Sequence, residues 1–274
     1  MNKSGKVWGR IFLLAVLFMV LVPFYWMVAT SLKSGAEVAM IPSTLYPHSI
    51  RLDNYLKALQ MAPFLRYFLN TVIVAAAVVL FSTVVSILSA FAYARLDFPG
   101  KDVLFFITLA TMMIPQEMLI ITNFKTIADW GWMNTYQALI LPYCINASHI
   151  YLMRQNMKQI PNELYIAARI DGLTNFRFLI KVVIPQVKSS IFTSMLLSLI
   201  WIWNTFAWPN LVTTNDALRL ISNGLKNAFT QSSGEIAYEL QMAAATMVTI
   251  PLILAFVLFR KYILSGVTKG GIKG

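Results

Sequence analysis

Acids, histidines and cysteines are scarce in this 274-residue chain, which holds 11 Asp and Glu, two His and one Cys. A single cysteine excludes an internal disulfide framework, and Cys144 has no second Cys or nearby His with which to form a metal site. A buried small apolar side chain is expected there. His48 and His149 lie far apart in sequence, so no H-E-x-x-H zinc motif exists. ATP hydrolysis would need G-x-x-x-x-G-K-[ST] after a strand; Gly266 and Gly271 have the glycine spacing, but Ile272 stands where Lys is required. No catalytic constellation and no metal ligand set can be assigned. Internal repeats, heptads and low-complexity tracts are also missing.

What the chain has in quantity is apolar surface: 58% of residues are hydrophobic, 12% are charged and the mean hydropathy is +0.67. A soluble domain of this size is not so greasy. The net charge of +11 does not imply nucleic acid, because the basic residues are scattered at the ends of apolar segments and form no patch. A membrane core takes about 20 apolar residues per helix, and six segments qualify: about 11–32, 68–94, 103–124, 135–153, 190–211 and 240–262. The expected fold class is all-α, a polytopic membrane protein of one domain over 1–274. Pro23, Pro115, Pro142 and Pro251 mark kinks within it. The first span follows Lys3, Lys6 and Arg10 but has no small-residue cleavage site, so it is expected to stay as an anchor.

With six spans both termini share a side, and Lys and Arg choose it. Fifteen of the 22 fall in the N-terminal tail, the loop around Pro99 and Gly100, the segment 154–188 and the C-terminal end. The other seven, Lys33, Arg51, Lys57, Arg66, Lys125, Arg219 and Lys226, fall opposite, diluted by Glu37, Asp53, Asp129, Asp216, Glu235 and Glu239. Both termini are therefore expected in the cytoplasm. The outer loops, about 33–66 and 212–238, are lids or docking loops at most.

Between the fourth and fifth spans lies a polar island, about 156–189, with IPNELYIAARIDGLTNFRFLIKVVIPQVK over 160–188. Pro161 suits a helix start, with Asn162 and Glu163 in its first turn. Gly172 suits a helix end, Thr174 or Asn175 can cap a second helix over Phe176 to Ile184, and Pro185 marks the return to the membrane. The product is two short helices and a corner. Ala167 and Ala168 permit close approach, while Leu164, Ile170, Leu173 and Phe176 offer apolar knobs. Charge alone fits two states equally: insertion into another protein, or an amphipathic pair on lipid headgroups.

The order of residues favours insertion. Pro161, Glu163, Leu164, Ala167, Ala168, Ile170, Asp171, Gly172, Phe178, Ile184 and Pro185 resemble the cytoplasmic coupling (EAA) loop of membrane subunits of carbohydrate-type, maltose-like binding-protein-dependent ABC importers. Ile166 replaces the Glu before the alanine pair, and Ile184 the Leu before the exit Pro. Residues 94–101, Met113-Ile114-Pro115 with Gly131, Asn134 and Thr135, residues 203–209 and the tail 266–274 are similar to the same family. The resemblance implies a type I ABC importer permease fold taking up a sugar, oligosaccharide or sugar derivative from an extracytoplasmic binding protein. It implies a multi-pass subunit in the inner or cytoplasmic membrane, in contact with lipid and paired with a second homologous permease. Two ATPase subunits would carry ATP and Mg, this chain binding no cofactor. The coupling residues would be Glu163, Leu164, Ala167, Ala168, Arg169, Asp171, Gly172, Phe176 and Pro185. An ion-coupled carrier acting alone is the alternative.

Polar groups within spans are costly and mark either a solute path or interhelical hydrogen bonds. Gln116, Glu117, Asn123, Trp203, Asn204 and Gln241 are the path candidates, with Trp208 expected in an interfacial belt.

Overall fold

The computed structural model describes residues 3–229 and 236–269; Glu235 and the tail match at Gly270 to Gly274 lie outside them, as do the side chains of Lys3, Lys6, Lys226, Lys261 and Lys269. The described chain is helical from end to end. In order it runs α1 (Lys3–Ser31), α2 (Gly35–Val38), α3 (Asp53–Met61), α4 (Phe64–Arg95), α5 (Lys101–Thr111), α6 (Ile120–Asp129), α7 (Tyr136–Ile140) and α8 (Ala147–Lys158). Then follow α9 (Asn162–Ile170), α10 (Asn175–Phe178), α11 (Ile184–Asn204), α12 (Ala207–Val212), α13 (Ile221–Ala228) and α14 (Tyr238–Lys269).

Among the described residues, four unbroken helical stretches are long and apolar enough to span a membrane: Val7–Ser31, Phe64–Arg95, Asn175–Asn204 and Tyr238–Arg260. Pro23 and Pro251 sit inside continuous helices, whereas at Pro115 and Pro142 the helix is broken rather than only kinked. The segment 103–124 becomes α5 and, after Pro115, a 3-10 turn (Gln116–Leu119) running into α6, with an 87° bend. The segment 135–153 becomes α7, a 3-10 turn at Leu141–Tyr143 and α8. The segment 190–211 stops at Asn204 and resumes as α12.

Proline chemistry explains the breaks. Pro has no N–H for the carbonyl four residues back, and its ring crowds that carbonyl. Pro142 orphans the carbonyl of Ala138, which instead accepts the Trp208 indole N–H at 2.8 Å. Pro209 orphans that of Thr205, which accepts the Ser222 hydroxyl at 2.6 Å. Each freed acceptor is satisfied by a side chain from elsewhere, as a water-poor interior demands.

The chain divides into two compact units: Met1–Arg66 with Gly224–Ile253, and Tyr67–Asn223 with Leu254–Gly274. In the first, the expected outer loop is an ordered fold around two buried charges. Lys33, 2% exposed, donates to the Thr44 carbonyl and lies 4.6 Å from the Trp26 ring centroid. Glu37, 5% exposed, accepts from the His48 N–H at 2.9 Å and the Thr44 hydroxyl at 3.1 Å. Burial alone would raise its pKa, yet these hydrogen bonds and the His48 and Lys33 charges hold it below the usual carboxylate range. Asn54 donates to the carbonyls of Ser31 and Lys33 at 2.9 and 2.7 Å, tying α3 to the end of α1.

The second unit has two apolar clusters. One joins Phe91 of α4, Met153 and Met157 of α8, Ala168 of α9, and Phe178, Leu179, Val183 and Val187 of the following helix. The other joins Val74 and Val78 of α4 to Ile127, Leu139, Ile202, Trp208 and Val212. Asn134 stands at φ 57, and its side-chain oxygen accepts the N–H groups of Thr214 and Asn215 at 2.7 and 2.9 Å. That fastens the loop before α7 to the loop after α12. Cys144 is half-buried rather than buried.

Candidate functional site

The polar island folds as a corner on one of these clusters. Helix α9 ends in a Schellman motif: the Leu173 N–H returns to the Ala168 carbonyl at 2.9 Å and the Gly172 N–H to Arg169 at 3.1 Å, with Gly172 at φ +77. Thr174 caps α10 by accepting the Arg177 N–H at 3.3 Å. Asn175 instead accepts the Tyr165 hydroxyl at 2.9 Å, which links the two arms.

The second arm differs from expectation. It does not end at Pro185 but runs unbroken from Asn175 to Asn204, passing through a π-helical turn at Leu179–Val183. The wide turn comes just before the residue that cannot donate to Lys181, so the local misfit is absorbed without a break.

The exposed faces carry Glu163, Leu164, Ile166, Ala167, Arg169, Ile170, Asp171, Gly172, Phe176, Arg177 and Ile180, with Pro185 also exposed. Ile170 is 80% and Phe176 61% exposed, a large apolar offering at a corner. Ala168 faces the other way, 8% exposed in the core beside Phe178. That corrects its assignment to the outer surface: it follows Tyr165 by three residues, which puts both on the helix face that packs inward. Leu173 likewise packs against this cluster.

Arg95, the last residue of α4, pins the approach to the corner. It donates to the carbonyls of Met157, at 2.8 Å, and Ile160, and reaches Asn162 at 3.5 Å. Those carbonyls end α8 just before α9 begins, so one guanidinium binds three segments. Nothing in local spacing reveals these partners.

The polar residues of the third span converge. Gln116, Glu117 and Asn123 line a cavity of about 230 Å³ with Tyr143, Trp201, Thr205 and Trp208. Gln116, Tyr143 and Trp201 also border an adjoining cavity of about 310 Å³ with Asn146, His149 and Ser198. Tyr143 and Trp201 meet edge to face at 4.6 Å between ring centroids.

Two path candidates, Trp203 and Asn204, are not brought there. Trp203 is 6% exposed, meets Phe68 edge-on at 5.8 Å and lines a separate apolar cavity with Val72, Ala75 and Leu199. Two residues turn a helix by about 200°, so Trp201, not Trp203, faces the polar cavities. Asn204 is exposed at the end of α11 and donates to its own Ile200 carbonyl at 2.7 Å. Gln241 is half-buried on α14, in the other unit. Trp208 is no belt residue either: it is 5% exposed, with its N–H on Ala138. Sequence reading missed Tyr143, Asn146, Ser198 and Thr205: breaks in the backbone place Tyr143, Asn146 and Thr205, Ser198 comes from the unbroken α11, and no local spacing shows that they share a space with Gln116.

Residues 82–269 match the family described as "Binding-protein-dependent transport system inner membrane component". The chain is 34% identical over 258 residues to the trehalose/maltose transport system permease protein MalG of Thermococcus litoralis, spanning 93% of this chain and 92% of that one. It is 30% identical over 268 residues to the sn-glycerol-3-phosphate transport system permease protein UgpE of Rhizobium meliloti, spanning 95% of each. Its fold matches a chain of the crystal structure of a bacterial ABC transporter that imports the acidic polysaccharide alginate, with a TM-score of 0.85, 24% identity, and coverage of 96% of this chain and 99% of that one. The chain belongs to the inner membrane components of binding-protein-dependent transport systems, and is thus a non-catalytic permease subunit of an ABC importer whose ATP hydrolysis resides in separate subunits.

Proposed function

We propose that the corner at Gly172 receives an ATPase subunit on the cytoplasmic face, and that Gln116, Glu117 and Asn123 border the path of a carbohydrate. The observation that carries the first part is a polarity split within one small motif. Ala168, Phe178, Leu179 and Val183 anchor it to the core, while Leu164, Ile166, Ile170, Phe176 and Ile180 stay uncovered among Glu163, Arg169, Asp171 and Arg177. An apolar knob ringed by charges on a rigid base is the form of an interface centre with a polar rim. Helix α9 would enter the partner, Gly172 would let the chain turn back, and the unbroken helix from Asn175 to Asn204 would carry the displacement from the corner toward Trp201.

The family name itself supports a binding protein as partner. The full assembly in this reading adds a second homologous permease and two ATPase subunits holding ATP and Mg, with both termini of this chain cytoplasmic and the broken segments at 103–124 and 135–153 completing six crossings. Relatives are permease proteins of a trehalose/maltose and an sn-glycerol-3-phosphate transport system, which supports a sugar or sugar derivative as solute.

Co-purification tests the corner. A double variant Ile170→Glu and Phe176→Glu should still insert into membranes and pair with the second permease, yet recover at least tenfold less ATPase subunit, because buried apolar anchors are each worth ~2 kcal/mol or more at an interface. Undiminished recovery would remove the corner from the ATPase interface.

A further inference from the structure

The chemistry of the two adjoining cavities narrows the solute further, on the reading that they lie along its path. Among the described residues Glu117 is the one acidic side chain lining the 230 Å³ cavity, and neither cavity has a Lys or Arg in its wall. The neighbouring cations are engaged elsewhere. Lys125, two turns beyond Glu117, is paired with Asp129 at 2.7 Å. Arg154 is buried with its guanidinium 3.7 Å from the Phe105 ring centroid and its Nε donating to the Tyr93 carbonyl. His149 borders the second cavity with Nδ1 3.3 Å from the Ser198 hydroxyl, so that ring nitrogen is engaged within the wall.

We propose that the solute is an uncharged glycoside, and that Glu117 is a specificity-determining residue that accepts its hydroxyls and repels uronates, phosphates and sulfonates. A carboxylate offers acceptors only, and sugar hydroxyls supply donors. The Gln116 and Asn123 amides add both donors and acceptors, so a hydroxyl-rich ring is matched on either side. Trp201, 45% exposed, offers an indole face to the C–H face of such a ring. An anion finds the opposite. It must shed water beside Glu117 with no guanidinium or ammonium to replace that water, so desolvation and like-charge repulsion act together. Sites built for carboxylate or phosphate place an Arg fork or a Lys there, and these walls have neither.

The test uses the whole importer, with the partner permease, the ATPases and its cognate binding protein, reconstituted in proteoliposomes. ATP-driven uptake is measured for maltose, maltotriose and trehalose, and for two anionic probes, sn-glycerol 3-phosphate and a glucuronate-containing disaccharide. Uptake is expected among the neutral probes alone. Glu117→Gln should raise KM for the transported neutral probe about three- to tenfold with a smaller change in kcat, and Glu117→Lys should raise it further. ATP-driven uptake of either anionic probe overturns the assignment of solute class, and an unchanged KM in both variants overturns the role of Glu117. Absence of ATPase subunits from the purified assembly is scored before uptake and counts against the coupling reading instead.

Discussion

At Gly172 one torsion angle decides what side chain the corner tolerates. Its φ of +77 is a left-handed conformation, and a Cβ built there would meet nothing within 4 Å. Within this chain the constraint on position 172 is therefore backbone strain, not crowding. Gly172→Val pays about 1–2 kcal/mol for that conformation, whereas Asn occupies it readily. Gly172→Val is expected to lower binding-protein-stimulated ATP hydrolysis of the assembled importer roughly five- to thirtyfold, the rate equivalent of that energy, and Gly172→Asn to retain most of it. Equal loss in both variants would mean that a partner surface fills the open space beside Gly172. Ile166 bears on the same motif: it lies exposed on α9 where the family's loop has Glu, so the exposed acids of this corner are Glu163 and Asp171.

Among the elements, the prolines do more than kink. Pro115, Pro142 and Pro209 interrupt what hydropathy reads as continuous spans, and the carbonyls that Pro142 and Pro209 release become acceptors for Trp208 and Ser222. The breaks also aim Gln116, Tyr143 and Thr205 into one space, which regular helices over the same residues would scatter around their circumferences. Arg95 does comparable service at the corner by holding the end of α8 to α4. Arg95→Ala takes the guanidinium donor from the Ile160 carbonyl, at about 1–3 kcal/mol, while the Met157 carbonyl keeps the Ile160 N–H at 3.3 Å, and it frees α9 to move. Limited trypsin digestion of the purified importer should then cut at Arg169 several-fold faster than in the parent protein. Identical cleavage rates would show that the hydrophobic cluster alone fixes the corner.

For the whole molecule, the proposed orientation, with both termini and the corner cytoplasmic, can be read by labelling. In a Cys144→Ser background, a thiol placed by Asp171→Cys should react with a membrane-impermeant maleimide in inside-out vesicles. One placed by Leu45→Cys, where the native side chain is 68% exposed, should react in right-side-out vesicles. Labelling of both from the same side would contradict the assigned topology. The residues 33–48 that carry Leu45 are no loose lid, since Lys33 and Glu37 are buried and paired within them.

The sequence by itself determined the membrane as solvent, the polar island and the family, because those follow from composition, charge placement and the order of residues along the chain. It also located the helix end at Gly172 and narrowed the next cap to Thr174 or Asn175, since a helix end is a local event written within a few positions. What only the tertiary structure decided was which polar residues share a cavity and which continuous-looking spans are broken. A proline can be carried inside a helix, as Pro23, Pro185 and Pro251 are, or sit just past a break, as Pro142 and Pro209 do. In these two breaks the freed carbonyl meets a donor from a distant segment, Trp208 for one and Ser222 for the other, and that pairing is set by packing across 70 and 17 residues of sequence. The same packing turned Trp201 toward Gln116 and Trp203 away, and put Ala168 in the core while leaving Ala167 outside.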